Sequence, residues 1–145
     1  MILLGLENNG TQDVLVDGLV NLGSVYRRYT RCNASQPFTF NGTSFNLGLR
    51  GMYHITLTAI VSAPVAGDVS IQMLENGIEI PSAIATTTIT TAETEFRTIT
   101  IDRIVLVDNT YILGQPTTLS KAIAFKNVGV EATISNVVVN VEKVL

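Results

Sequence analysis

A single histidine, His54, is the only side chain here whose ordinary pKa lies near neutrality. A nucleophilic triad built on it needs Asp68, Asp102 or Asp108 to orient the ring, and a serine held on a sharp turn. No Gly-x-Ser-x-Gly segment exists, so the nucleophile elbow is missing. Paired carboxylates can divide acid and base roles when their environments push their pKa values apart. Glu93 and Glu95 alternate near a turn, and Glu75 and Glu79 flank Asn76-Gly77; all four read as charges at loop ends. Calcium takes about six to eight oxygens, commonly from closely spaced Asp and Asn. No Asp-x-Asp-x-Asp-Gly loop is present, and Asp108 with Asn109 could serve only a site shared on a symmetry axis. One cysteine, Cys32, excludes an internal disulfide and a cysteine-based metal site. Gly48-Leu49-Arg50-Gly51 is a turn, not a phosphate loop. The expectation is therefore no catalytic residue, no cofactor and no metal, with His54 a polar strand residue or an intersubunit contact.

Charge narrows the partners. The net charge is −3, and nine Lys and Arg in 145 residues cannot form a phosphate-binding stripe. Arg27, Arg28 and Arg31, interleaved with Tyr26 and Tyr29, are the only basic cluster and read as a strand end facing solvent or an interface. Nucleic acid is not expected as a partner. No run approaches the ~18 apolar residues of a membrane span, so no membrane insertion is expected. Residues 2–6 are apolar but too few for a secretory signal, and no Lys or Arg precedes them, which points to folding in a cytoplasm. The sequons at Asn9, Asn33 and Asn41 then read as chance in a chain rich in Asn and Thr.

The elements that would carry these residues are strands. Val, Ile and Thr number 16, 14 and 18, a third of the chain, and such β-branched types favour a pleated, half-buried surface. Only 14% of residues are charged, against the ~25% of ordinary soluble domains, so other subunits are expected to cover part of the exterior. One domain of this length can bury roughly 68–70% of its unfolded surface without staples. Over 51–63, Tyr53, Ile55, Leu57, Ala59, Val61 and Ala63 share one face, while His54, Thr56, Thr58 and Ser62 share the other. Asn76-Gly77 predicts a two-residue type I′ hairpin, which would pair Met73 with Ile80, Ile71 with Ser82 and Val69 with Ile84. Asn41-Gly42 predicts a second hairpin. Over 96–107, Ile99, Ile101, Val105 and Val107 share a parity with Arg103 as the exception, and Gln115-Pro116 breaks the chain. The apolar parity of 130–145 slips between Ile134 and Val137, predicting a bulge near Ser135-Asn136. Asn8-Asn9-Gly10 and Asp17-Gly18 interrupt the apolar pieces of residues 1–21, which read as an extended arm or a short hairpin outside the core. About eight to ten strands and no helix mean an all-β antiparallel sandwich, a jelly roll, over 22–145.

Four segments carry a family likeness: Gly51-Met52-Tyr53-His54-Ile55, the strand 69–75 running into Asn76-Gly77, residues 78–86, and the ending 132–139. In type and order they resemble the trimeric jelly rolls of the complement C1q/tumour necrosis factor superfamily, above all its bacterial and phage members. No Gly-x-y stalk precedes them, and Leu106-Val107-Asp108-Asn109 stands where those domains carry a Leu-x-x-Gly-Asp turn. The resemblance implies a homotrimer with Tyr53, His54, Ile55, Phe125, Val137 and Val139 as interface candidates. It further implies a non-enzymatic virion protein, a head fibre or capsid decoration, partnered by capsid or tail proteins and assembled in the host cytoplasm. Ile2, Leu3, Leu4, Leu6, Val14, Leu15 and Val16 are the docking candidates. A tail or baseplate receptor-binding component, and a bacterial surface domain that recognises a glycan or protein, are the alternatives.

Overall fold

The computed structural model describes residues 2–30 and 38–145, with the side chains at 110–112, 116 and 118 outside that description. Arg31, Cys32, the sequon at Asn33 and Pro37 therefore lie outside it. Among the described residues there are twelve strands: β1 (Ile2–Val14), β2 (Ser24–Tyr29), β3 (Phe38–Phe40), β4 (Ser44–Leu47), β5 (Gly51–Ser62), β6 (Gly67–Glu75), β7 (Ile78–Ile89), β8 (Arg97–Val107), β9 (Asn109–Ile112), β10 (Gln115–Thr118), β11 (Lys121–Asn127) and β12 (Ala132–Lys143). Two five-stranded sheets, β2-β1-β12-β5-β8 and β3-β4-β11-β6-β7, face each other, and β9 and β10 form a separate ribbon. Every pairing is antiparallel. The core lies between the two sheets, filled from one side by residues such as Leu4, Leu6, Ile55, Leu57 and Val139 and from the other by Phe45, Ile71, Met73 and Phe125.

Alternation decides which side chains fill it. In β5, Tyr53, Ile55, Leu57, Ala59 and Val61 are buried, and the residues between them are partly exposed. β8 pairs with β5 without a break from Gly51↔Val107 to Val61↔Arg97, so one parity is imposed on both strands. Arg103 falls on that inward parity opposite Ile55 and reaches across to donate from its guanidinium to the Ser82 hydroxyl. The bulge expected near Ser135-Asn136 is present. Ser135 pairs with Ile60 and Val138 with Thr58, so Asn136 and Val137 oppose one residue, and Asn136 takes φ 51°.

The N-terminal segment is not an arm. β1 lies inside the first sheet, between β2 and β12, and buries Ile2, Leu4, Leu6 and Val14 in the core. Asn8-Asn9-Gly10 does not end the strand. Asn8 pairs with Val137 and Thr11 with Ser135, so Asn9 and Gly10 form a bulge beside the one in β12. The Asn8 side chain closes that bulge by accepting the Gly10 N–H at 3.0 Å. Turn-type residues thus serve as an irregularity within a continuous ladder, and residues 1–21 and 22–145 are not separate units.

Two further expectations change. The Asn76-Gly77 turn has positive φ at both central residues, 52° and 79°, as type I′ requires. The predicted register holds only for Glu75↔Ile78 and Leu74↔Glu79; beyond it Gln72 pairs with Ile84, Ile71 with Ala85 and Val69 with Thr87. Residues 80–83 bulge opposite Met73, because Pro81 has no N–H to give the ladder. Ile84 consequently points outward and is 42% exposed. Pro116 does not break its strand either: it pairs with Tyr111 in the β9–β10 ribbon, where an edge without a partner strand tolerates the missing donor.

Candidate functional site

The interface candidates separate into two kinds. Tyr53, Ile55, Phe125, Val137 and Val139 are each 0% exposed, so they hold the subunit's own two sheets together and are corrected to core residues. The Tyr53 ring packs edge-on against Phe38 with centroids 6.0 Å apart, and its hydroxyl donates to the Leu49 carbonyl at 2.6 Å. Burial pushes that phenol above its ordinary pKa, with the Leu49 hydrogen bond opposing. His54 alone faces outward.

That outward face belongs to the first sheet. Register places Met52 beside Leu106, His54 beside Ile104, Thr56 beside Asp102, Thr58 beside Thr100 and Ile60 beside Thr98. On the other side of β5, Glu142 stands next to His54, Asn140 next to Thr56 and Val138 next to Thr58. Leu3 follows Glu142, and Tyr29 follows Leu3. Tyr26 lies flat over Gly5, where a Cβ would meet its ring carbon at 2.6 Å, and its hydroxyl donates to Asn140 Oδ1 at 2.5 Å. The face thus carries Tyr26 (45% exposed), Tyr29 (55%), Ile104 (56%) and Leu106 (53%) among threonines.

One polar cluster on it is centred on His54. Nε2 meets Asp102 Oδ1 at 2.5 Å, so the aspartate that a triad would need is in place. Among the described residues no serine or threonine hydroxyl is hydrogen-bonded to the ring, and the cross-strand neighbours are Ile104 and Glu142. Beside the pair is a depression of 220 Å³ lined by Leu3, Tyr26, Arg27, His54, Asn140 and Glu142.

The remaining candidates for chemistry have structural partners. Glu75 meets Lys121 at 2.7 Å and Glu79 meets Lys126 at 2.5 Å. Glu95 accepts from the Thr90 backbone and hydroxyl and from Arg97, and the Thr90 N–H holds its carboxyl below the ordinary range. Glu93 sits at positive φ, 67°, in the exposed connection before β8. Asp108 accepts from Arg50 Nε at 3.2 Å and from the Asn109 N–H at 2.8 Å. Among the described residues no three His, Cys, Asp or Glu side chains are grouped to hold a metal ion. No helix there is long and apolar enough to cross a membrane.

The docking candidates divide as well. Ile2, Leu4, Leu6 and Val14 are core, and Leu3 is half-buried on the outer face just described. Leu15 and Val16 are 64% and 54% exposed, at the end of the sandwich farthest from both termini. The sequence already signalled Ile104 and Leu106: they are apolar on the parity opposite to Ile99, Ile101, Val105 and Val107.

No family model and no curated protein matches the sequence. Solved structures match along its length. The globular domain of zebrafish complement 1qA superposes with TM-score 0.65 at 8% identity, covering 100% of this chain and 98% of that one. Eiger TNF from S. frugiperda gives TM-score 0.69 at 9% identity, covering 100% and 94%. Murine APRIL at pH 5.0 gives 0.64 at 9% identity, covering 99% and 98%. The fold is thus the C1q/tumour necrosis factor jelly roll, and the likeness includes residues 1–21, which the sequence motifs had left outside. At such identities it is a likeness of fold.

Proposed function

We propose that this chain is a non-enzymatic structural protein that assembles as a homotrimer and serves on a phage virion, as a head fibre or capsid decoration protein. The outer face of the β2-β1-β12-β5-β8 sheet carries the assembly reading. It exposes Tyr26 and Tyr29 along the β2 edge and Ile104 and Leu106 along the β8 edge, with Leu3, Glu142, His54 and Asn140 between them. Four large apolar or aromatic side chains, each about half exposed on one sheet face of a small domain, favour association. A closed threefold arrangement lets each copy cover it with two others. The virion reading is supported by the sequence motifs that resemble those of phage and bacterial members and by the low charge.

Light scattering of the purified chain tests the assembly. The expected mass is about three times that of the 15.6 kDa subunit. Ile104→Asp combined with Leu106→Asp should give a folded monomer, since both side chains already face water within one subunit. A monomeric parent protein would sink the reading. Antibody labelling of purified phage particles tests the location, and particles that carry no copies would refute it.

A second reading rests on a depression of 240 Å³ lined by Thr39, Phe40, Asn41, Ser44 and Asn46 on β3 and β4. One aromatic ring among amides and hydroxyls suits a sugar, which is the chemistry of a cell-surface adhesion domain. Glycan-array binding that disappears in Asn46→Ala with Thr39→Ala would favour it.

A further inference from the structure

The end of the sandwich farthest from the termini joins four connections: 15–23, 63–66, 90–96 and 128–131. Hydrogen bonds tie 15–23 to 128–131, 128–131 to the start of β6, and 63–66 to 90–96. Asp17 N–H donates to the Asn127 carbonyl, and Asn127 Nδ2 donates to the carbonyls of Val14 and Val130. Val130 N–H donates to the Asp68 carbonyl, and Glu93 N–H to the Ala63 carbonyl. Each connection except 128–131 presents a large apolar side chain to water: Leu15 at 64%, Val16 at 54%, Val65 at 70% and Phe96 at 62%. Burying such groups against a partner is favourable, and nothing in the subunit's own fold requires them to be apolar.

Among the described residues, the charges around these side chains that have no ion-pair partner are acidic. Arg97 and Lys126, the cations beside them, are already paired, with Glu95 and with Asp17 and Glu79. Glu93 and Glu131 are exposed and have no ion-pair partner among the described residues. An apolar centre with an acidic rim complements a surface of opposite sign and repels acidic ones.

We infer that this end is the site by which the trimer docks on another protein, through a surface whose apolar side chains are surrounded by Lys or Arg. This deepens the reading of the chain as an attached structural module and rests on it. It also assigns Leu15 and Val16 the docking role that the buried Ile2, Leu4, Leu6 and Val14 cannot fill. A zwitterionic lipid surface carries no net positive charge and is the alternative that the test separates.

The probes are a labelled peptide alternating Leu and Lys, the same peptide with Glu for Lys, and phosphatidylcholine vesicles. The Leu/Lys peptide should bind the full chain and protect amides of the four connections from hydrogen exchange. Val65→Ser with Phe96→Ser should weaken it by roughly tenfold. Glu93→Lys with Glu131→Lys should weaken the Leu/Lys peptide and not the Leu/Glu one. Equal binding of both peptides, protection elsewhere, unchanged affinity in Val65→Ser with Phe96→Ser, or binding to vesicles alone would overturn the inference. Light scattering on the same samples separates the two failures. Peptide binding by a protein that proves monomeric would sink the trimer and spare the docking surface; a trimer indifferent to the peptide would do the reverse.

Discussion

Tyr53 illustrates how a residue's chemistry follows from its parity. Standing on the inward face of β5, its ring fills the core while its hydroxyl must find an internal acceptor, the Leu49 carbonyl. Tyr53→Phe removes that donor and leaves the carbonyl unpaired, at a cost of about 1–2 kcal/mol in urea unfolding. Burial raises its folded pKa above the ordinary 10.0, so the folded chain holds the phenolic proton more tightly than the unfolded chain does. That contribution is complete below the unfolded pKa and is lost as pH rises through the folded one. Unfolding midpoints should therefore fall above about pH 10, and the fall should be shallower in Tyr53→Phe. The parity of Tyr53 was legible in the sequence, as was the outward position of His54. The pairing of His54 with Asp102 was not, because that partner lies 48 residues away and depends on the β5–β8 register.

The strands teach a different lesson about legibility. Local signals read correctly where a few residues dictate the backbone: Asn76-Gly77 makes its turn, and the apolar slip at Ser135-Asn136 marks its bulge. They misled where tertiary pairing overrode them. Asn8-Asn9-Gly10 resembles the end of a strand, yet β12 carries a matching irregularity, so the ladder continues past both. Pro81 likewise shifts the far half of β7 and turns Ile84 outward. β1 is consequently an interior strand whose loss would uncover both β2 and β12. Leu6, fully buried, tests this: Leu6→Ala should cost about 2–5 kcal/mol, the range of a core cavity. A denaturation curve within a few tenths of a kcal/mol of the parent would return residues 1–21 to the status of a loose arm.

At the scale of the molecule, the all-β class and two-layer architecture followed from composition and period-two patterning alone. What covers each sheet did not follow. Alternation identifies two faces for a strand, but only the assembled sandwich decides which of them is internal, and five of the six interface candidates proved to be internal. One geometrical relation made by the sandwich reaches beyond assembly. Ile2 and Lys143 are register partners, and Leu145 accepts the Met52 N–H, so the beginning and the end of the chain emerge side by side. A bridge of a few glycines and serines could seal them, and the chain could be cut instead at Leu113, 98% exposed at the tip of the β9–β10 ribbon. Such a circularly permuted protein should keep the parent's near-ultraviolet spectrum and cooperative melting. The architecture would then be indifferent to which strand the ribosome makes first.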